Sequence, residues 1–319
     1  MLVVVAVLAG LLVSGVLAAA LAFNTLVTTF ASNATVLPDS QVFPSGARPD
    51  PASNGAKNIL LVGVDGPAAS ADTVTPGATG MRSDTIMLVH LPADRSSVQI
   101  ISIMRDSWVP IPGHGTDKIN AAFSWGGAPL LVQTVEQLTG ARIDHVAIVG
   151  FDGFRDMVDA LGGVSVTVPQ GFATDHYTFA PGPRRLDGRE ALEFVRTRVG
   201  LPGGDYQRVR NQQALIGGIV QALIARSTLT SPEKIFTFTG AVTKHLTIDQ
   251  GLTFQTIFEI GMNYGRIRSS DVRFVTLATS GSGMEGDQAV VYLDQKQLGE
   301  LRSALRSDTV DAFARSAQG

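Results

Sequence analysis

No cysteine occurs among the 319 residues, which excludes disulfides, thiolate metal sites and a cysteine nucleophile together. The five histidines are scattered, with no pair at metal-ligand spacing, and neither GxxxxGK(S/T) nor GxSxG is present. Zinc hydrolases, P-loop kinases and serine hydrolases are thereby disfavoured. Gly281-Ser282-Gly283-Met284-Glu285-Gly286 matches GxGxxG in form, but a strand-like run follows it where a dinucleotide site requires a helix. An excess of positive charge is missing too. A formal net charge of -3 and a pI near 5.9 give no overall basic field, so nucleic acid is not an expected partner.

Charge of either sign is absent from Met1 to Pro38, and Leu2 to Phe23 is almost unbroken Leu, Val and Ala with small residues between. About 20 apolar residues span a bilayer, against about 7–15 in the core of a signal peptide. No Lys or Arg precedes the run, so we read residues 1–30 as an uncleaved transmembrane anchor. The first basic residue is Arg48, and flanking charge therefore gives no orientation. Residues 31–56, rich in Ser, Pro, Ala and Asn without an apolar period, read as a flexible linker.

From residue 57 to 319 the chain reads as one domain, and with 45% apolar residues it can bury a sizeable core. Apolar runs at Asn58–Val64, Thr85–Leu91, Val98–Ile103, Asp144–Gly150 and Val164–Val168 predict strands. Helices are predicted over about 128–139, over 151–161 with Gly162-Gly163 as the stop, and from Asp187, where Glu190 stands three residues on as in a capping box. Later helices fall at about 209–226, 232–244, 251–263 and 294–306, and later strands at 272–277 and 289–293. The alternation predicts a three-layer α/β/α sandwich with a central mixed sheet, preceded by the N-terminal transmembrane helix. Gly217 and Gly218 interrupt an apolar helical stripe at a cost of about 1 kcal/mol each against Ala. Such a cost implies close approach, by a neighbouring helix or sheet in preference to a lipid chain.

Arg196 to Gln213, RTRVGLPGGDYQRVRNQQ, holds four arginines around a Gly-Leu-Pro loop. Arginine presents a rigid fork of donors that grips phosphate oxygens in pairs, so the segment reads as a phosphate-binding edge, with a solvated loop as the alternative. Asp205 suits the N-cap of the helix that follows. The predicted strands carry Asp65, Arg82, Asp84, Arg105 and Asp106 at their ends or entrances, the usual place for a site in an open α/β sheet. Carboxylates such as Asp65 and Asp84 suit Mg²⁺, or Mn²⁺ in its place, bridging phosphate oxygens, and the arginines beside them suit a pyrophosphate. Phosphoryl transfer needs positioning and charge stabilisation, so this inventory requires no side-chain nucleophile. Asp106 and Arg210 read as ordinary salt-bridge partners.

Taken in order, NILLVGVD, RSDTIML, SIMRDSWVPIPG, KINAAFSWGG, GFDGFRDMVDALGGVSVTVP, LDGREALEFVRTR and DYQRVRNQQ resemble the LytR-CpsA-Psr family of extracytoplasmic enzymes over about Asn58 to Gln213. Two departures stand out: Met104 where the family commonly has proline, and Asn211 where it often has arginine. The resemblance implies an α/β sandwich enclosing an apolar pocket for a polyprenyl tail. It also implies a membrane-anchored, Mg²⁺-dependent phosphotransferase that moves a glycopolymer from a polyprenyl-pyrophosphate carrier to peptidoglycan through a phosphodiester. Carried onto this sequence, Asp65 and Asp84 hold the metal, and Arg82, Arg105, Arg196, Arg198 and Arg208 hold the pyrophosphate. Gln212 supports it, and Asp205 orients the arginines; Asp65, Asp84 and Arg105 form the catalytic set. Two other readings share these residues: a hydrolase of the same lipid pyrophosphate, and a non-catalytic module binding lipid or wall polymer. The polymer stays open between arabinogalactan and a teichoic acid.

Overall fold

The computed structural model describes residues 21–64, 83–197, 200–225 and 231–318. The first twenty residues of the expected anchor lie outside them, and so do Asp65, Arg82 and Arg198. Among the described residues no helix is long and apolar enough to cross a membrane.

Seven strands form a central mixed sheet, in the order β1 (Thr35–Leu37), β12 (Leu246–Asp249), β7 (His145–Gly150), β2 (Lys57–Val64), β3 (Ser83–Leu91), β4 (Val98–Ile103) and β13 (Val272–Thr276). β2 lies parallel to β7 and antiparallel to β3, and β4 is antiparallel to β3 and parallel to β13. The strands read as nearly continuous apolar runs because both faces are covered. Alternate residues serve the two sides: Leu60, Val62, Ile86, Leu88, Val146 and Ile148 face one core cluster, Ala147, Val149, Leu246 and Ile248 the other. The first layer includes α3 (Ile119–Thr139), α9 (Gln295–Ser307) and α10 (Val310–Gln318); the second includes α4 (Phe151–Ala160), α5 (Gly188–Arg196) and α6 (Gly204–Ile224).

Local rules set most boundaries. Gly162 and Gly163 have φ of 73° and 92°, which a side chain resists, and they end α4 after its cap at Leu161. Asp187 and Glu190 complete the capping box at the start of α5, with Glu190 N–H donating to Asp187 Oδ1 at 2.9 Å. The helix expected from residue 128 begins earlier, at Ile119, and a kink at Gly127 divides it.

β8 (Val164–Val168) leaves the main sheet and pairs with β11 (Gly182–Leu186). The middle of α6 packs against it, and a Cβ on Gly218 would stand 2.5 Å from the Ser165 carbonyl oxygen. A neighbouring strand is therefore the reason for glycine here. Gly218→Ala is expected to lose about 1–2 kcal/mol, the overpacking cost outweighing the gain in helix propensity. A thermal midpoint several degrees lower in calorimetry checks it; an unchanged midpoint contradicts it.

Residues 31–56, expected as a flexible linker, are folded onto the domain. A helix over residues 21–33 leads to β1 at the sheet edge, and the one-turn α2 (Asp39–Val42) follows. Leu37 and Val42 are buried in the core. Arg48 lies over the Phe43 ring at 4.4 Å and forks onto the buried Glu136 at 2.7 Å. Isolated apolar anchors and one ion pair leave no period in the sequence, so composition alone misled.

Candidate functional site

β3 opens at the edge of the sheet where β4 ends. Val64, the last described residue of β2, pairs with Ser83, so the start of β3 stands beside the end of β2. Asp84 follows Ser83 and is buried. Arg105, two residues beyond β4, donates from Nη1 to Asp84 Oδ1 at 2.7 Å. Its Nε lies 3.5 Å from Asp106 Oδ2 and 3.8 Å from Asp205 Oδ1. Asp205 also pairs with Arg208 one turn along α6, while Lys118 Nζ lies 3.4 Å from Asp106 Oδ1.

Backbone contacts hold this arrangement in place. The N–H of Asn120 donates to the Arg105 carbonyl at 3.2 Å, and that of Ile119 to the Ser107 carbonyl at 2.9 Å, fixing the start of α3 against the arginine turn. β15 (Gln288–Leu293) contributes Val291, whose N–H donates to the Asp106 carbonyl at 3.0 Å. Met104 is fully buried against Val209 and Val291, and so ties the residue before Arg105 to the residue after Arg208. The departure from the family pattern at Met104 is thus an apolar bolt between the turn after β4, helix α6 and strand β15, far apart in sequence.

Electrostatics keeps Arg105 cationic. Burial works against its charge, but Asp106, Asp84 and Asp205 overcome that and raise its pKa above the usual arginine value. Arg208 is the largest of the fully buried side chains, 2% exposed. The three carboxylates Asp84, Asp106 and Asp205 and the three cations Arg105, Arg208 and Lys118 cancel in formal charge, so a doubly charged diphosphate needs further positive charge there.

The structure joins Asp84, Arg105, Asp205 and Arg208 in one chain of contacts. Arg196 is the last residue of α5 and is exposed; α5 is tied to α6 where Asn211 Nδ2 donates to the Phe194 carbonyl at 3.3 Å. Asp205 is not the N-cap. Gly203 takes that position, which leaves the Asp205 carboxylate to the two arginines. Asp106 makes the expected ion pairs, whereas Arg210 is exposed and lines a groove with Gln213, Gly217 and Phe274.

Gln212 is buried, and its Nε2 has no hydrogen-bond partner among the described residues. It lines a narrow apolar cleft with Thr85, Phe154, Val195, Leu215 and Ile216, between the sheet and α4, α5 and α6. Ser83 Oγ, next to Asp84, is likewise buried without a partner among the described residues. Unsatisfied buried polar atoms are uncommon and mark places where a ligand can complete the bonding.

A polar cavity of about 500 Å³ opens beside Arg105, lined by Asp106, Asp117, Lys118, Asn120, Trp125 and Gln288 among others. Apart from Arg105 and Asp106, the residues of this cavity are given no role by the sequence. KINAAFSWGG was visible as a motif, but nothing in its spacing tells that the turn before α3 meets the end of β4. Among the described residues no group of three His, Asp or Glu side chains forms a metal cage. The donors suit Mg²⁺ nonetheless, since that ion is commonly held by one or two carboxylates together with substrate phosphate and water.

The fold and site together define an α/β domain with a buried arginine–carboxylate centre suited to a phosphorylated ligand. The pattern of the LytR_cpsA_psr family matches residues 22–307, and the chain belongs to that family. It is 30% identical over 256 residues to the polyisoprenyl-teichoic acid–peptidoglycan teichoic acid transferase TagU of Enterococcus faecalis, covering 78% of each chain. It is also 30% identical over 313 residues to the cell wall biosynthesis protein LcpA of Corynebacterium glutamicum, where the match takes 82% of this chain but spans only 60% of that protein. The crystal structure of B. subtilis TagV superposes with a TM-score of 0.68 at 24% identity, over 81% of this chain and 98% of that one.

Proposed function

We propose that the chain transfers a glycosyl-1-phosphate polymer from a polyprenyl-pyrophosphate carrier to a hydroxyl of peptidoglycan. The observation that carries the reading is Arg105, held at a strand end among three carboxylates and bridged through Asp205 to the buried Arg208. Membership of the family and the names of the relatives support it. Residues 1–30 anchor the protein in the cell membrane, and the domain works outside the cytoplasm.

In this reading Arg105 and Arg208, with Arg82, Arg196 and Arg198, bind and orient the diphosphate, and Gln212 donates to it from the cleft. Asp84, with Asp65, would hold Mg²⁺ or Mn²⁺, which supplies the positive charge that the neutral cluster lacks. The acceptor oxygen forms a bond to the sugar-linked phosphorus as the bond from that phosphorus to the bridging oxygen breaks. Polyprenyl monophosphate leaves with the electron pair, and the hydroxyl proton passes to a carboxylate of the cluster. The polyprenyl tail follows the apolar cleft between the sheet and α4 to α6, whose walls must part to admit it. Hydrolysis would use the same residues with water as acceptor. The cavity beside Arg105 favours a sugar, because Trp125 presents an exposed indole among hydrogen-bonding side chains. Arabinogalactan or a teichoic acid would be the polymer.

The full chain in detergent, given a labelled polyprenyl-pyrophosphate glycan, peptidoglycan and Mg²⁺, is expected to place the label on peptidoglycan as a phosphatase-resistant diester. Chelation should stop the transfer. Release of free glycan phosphate would establish the hydrolase, and retention of unaltered lipid would leave only a binding module.

A further inference from the structure

The helix α8 (Phe254–Asn263) is amphipathic, yet none of its residues is buried. At 100° per residue Ile257, Phe254, Phe258 and Met262 share one face, Gln255 flanks it beside Met262, and Glu259, Asn263 and Thr256 lie on the other side. Ile257, Phe258 and Met262 are 38%, 45% and 69% exposed. A surface helix normally turns such a face inward; this one packs Phe254 against the domain and leaves Ile257, Phe258 and Met262 to solvent.

What lies beside that face identifies its occupant. Phe23, near the start of the described helix 21–33, meets the Phe254 and Phe258 rings at 5.7 and 5.1 Å, and Phe30 meets Phe254 at 5.8 Å. Leu21 is exposed there, and the residues that precede it, 1–20, carry no charge. The apolar N-terminal run therefore joins the domain at the exposed face of α8. Just beyond the helix, Arg266 and Arg268 are exposed, which adds positive charge at the same edge.

We infer that α8, with Leu21 and Phe23, is a membrane foot: its apolar face inserts at the level of the lipid headgroups, and Arg266 and Arg268 meet anionic headgroups. Amphipathic helices that lie in the interface bind in this way. The foot is at the end of the sheet away from the arginine centre. β12 runs antiparallel to β7 and ends at Asp249, level with His145 at the start of β7. After α8, the Tyr264 hydroxyl donates to the Pro92 carbonyl at 2.6 Å, just past the end of β3 opposite Asp84. β3 is nine residues long, so the arginine centre stands roughly 25–30 Å above the foot at the usual strand rise. A domain seated this way faces its site toward the wall, and the carrier tail traverses the layer between sheet and helices to reach the bilayer.

The inference rests on the membrane-anchored reading, and the experiment separates the two. Because the chain has no cysteine, Met262→Cys and, as a control, Lys296→Cys on α9 each accept a single fluorescent label. The full chain is reconstituted into phosphatidylcholine vesicles with and without phosphatidylglycerol, and flotation is measured alongside quenching by nitroxide lipids. The expected result is flotation of both variants, with several-fold stronger quenching at 262 than at 296, greatest for nitroxides at shallow acyl positions. Phosphatidylglycerol should increase the quenching, and R266Q/R268Q should remove that increase. Flotation with equal, weak quenching at both positions would overturn the foot and leave the anchor standing. Failure to float would overturn both. A label at 262 already shielded in detergent-free buffer without lipid, and unmoved by vesicles, would assign the face to residues 1–20 or to a second copy of the chain and overturn the foot.

Discussion

Replacing Arg105 with alanine is expected to lower turnover about 10³-fold, the size of effect seen when one charge-stabilising donor is removed from a phosphoryl or acyl transfer site. That loss corresponds to ~4 kcal/mol of transition-state stabilisation. Alanine also deprives the buried Asp84 of its partner at 2.7 Å, so some loss of stability accompanies it. Arg105→Lys separates the two effects. Lysine keeps a cation for Asp84 but not the planar fork that engages Asp84, Asp106 and Asp205 along different edges. The thermal midpoint of Arg105→Lys should therefore stay near that of the parent, while release of polyprenyl monophosphate remains far below it. Parent-like kcat/KM in Arg105→Lys would reduce the residue to a structural ion pair and remove the main support for phosphotransfer.

The second large effect is expected at Arg208. Its side chain fills the volume beneath the arginine cluster, pairs with Asp205, and is almost completely enclosed. Truncation in Arg208→Ala should cost about 3 kcal/mol through lost packing and a weakened ion pair. Arg208→Met keeps most of the volume without the charge. Methionine removes only one member of the ion pair, but Asp205 is partly exposed and keeps Arg105 at 3.8 Å, so the unfolding free energy of Arg208→Met should lie between those of Arg208→Ala and the parent. Turnover should drop about 10²-fold or more in both. Urea unfolding and the label-transfer assay measured on the same preparations distinguish the cases. An active Arg208→Met would show that the position needs bulk and not charge.

The neutral balance of the cluster bears on how the site is filled. Three carboxylates surround Arg105, and with Arg208 and Lys118 counted the cluster is neutral, so it offers a diphosphate no net attraction. In the proposed assembly Arg82, Arg196 and Arg198, and a divalent ion that Asp84 would help to hold, would supply the missing positive charge. Ser83 Oγ and Gln212 Nε2, buried without partners among the described residues, are placed where such an assembly would use them.

Much of the sheet was legible in the chain. Val98–Ile103 and Val164–Val168 coincide with their predicted ranges, because short apolar runs bounded by polar turns carry a local signal. The pairing of β8 was not legible: an apolar run does not tell which strand it will meet, and this one meets β11 outside the main sheet. β1, at the sheet edge, and β12 beside it have only three and four residues, too few to show a period. A glycine at 218 inside an apolar helical stripe signals close approach, but only packing decides that the neighbour is the Ser165 carbonyl.

By itself the sequence determined the inventory: which residue types are missing, where most of the longer strands and helices form, and that arginines and aspartates gather at strand ends and in one loop. Those properties depend on neighbours a few residues apart, where backbone sterics, apolar period and capping act. Only the tertiary structure decided which charges meet. Arg105 and Asp205 are a hundred residues apart in the chain, and they come within 3.8 Å because Met104 and Val209 pack together and the start of α3 is hydrogen-bonded to the turn that carries Arg105. Contacts of that kind are set by the packing of whole layers, which no local pattern encodes.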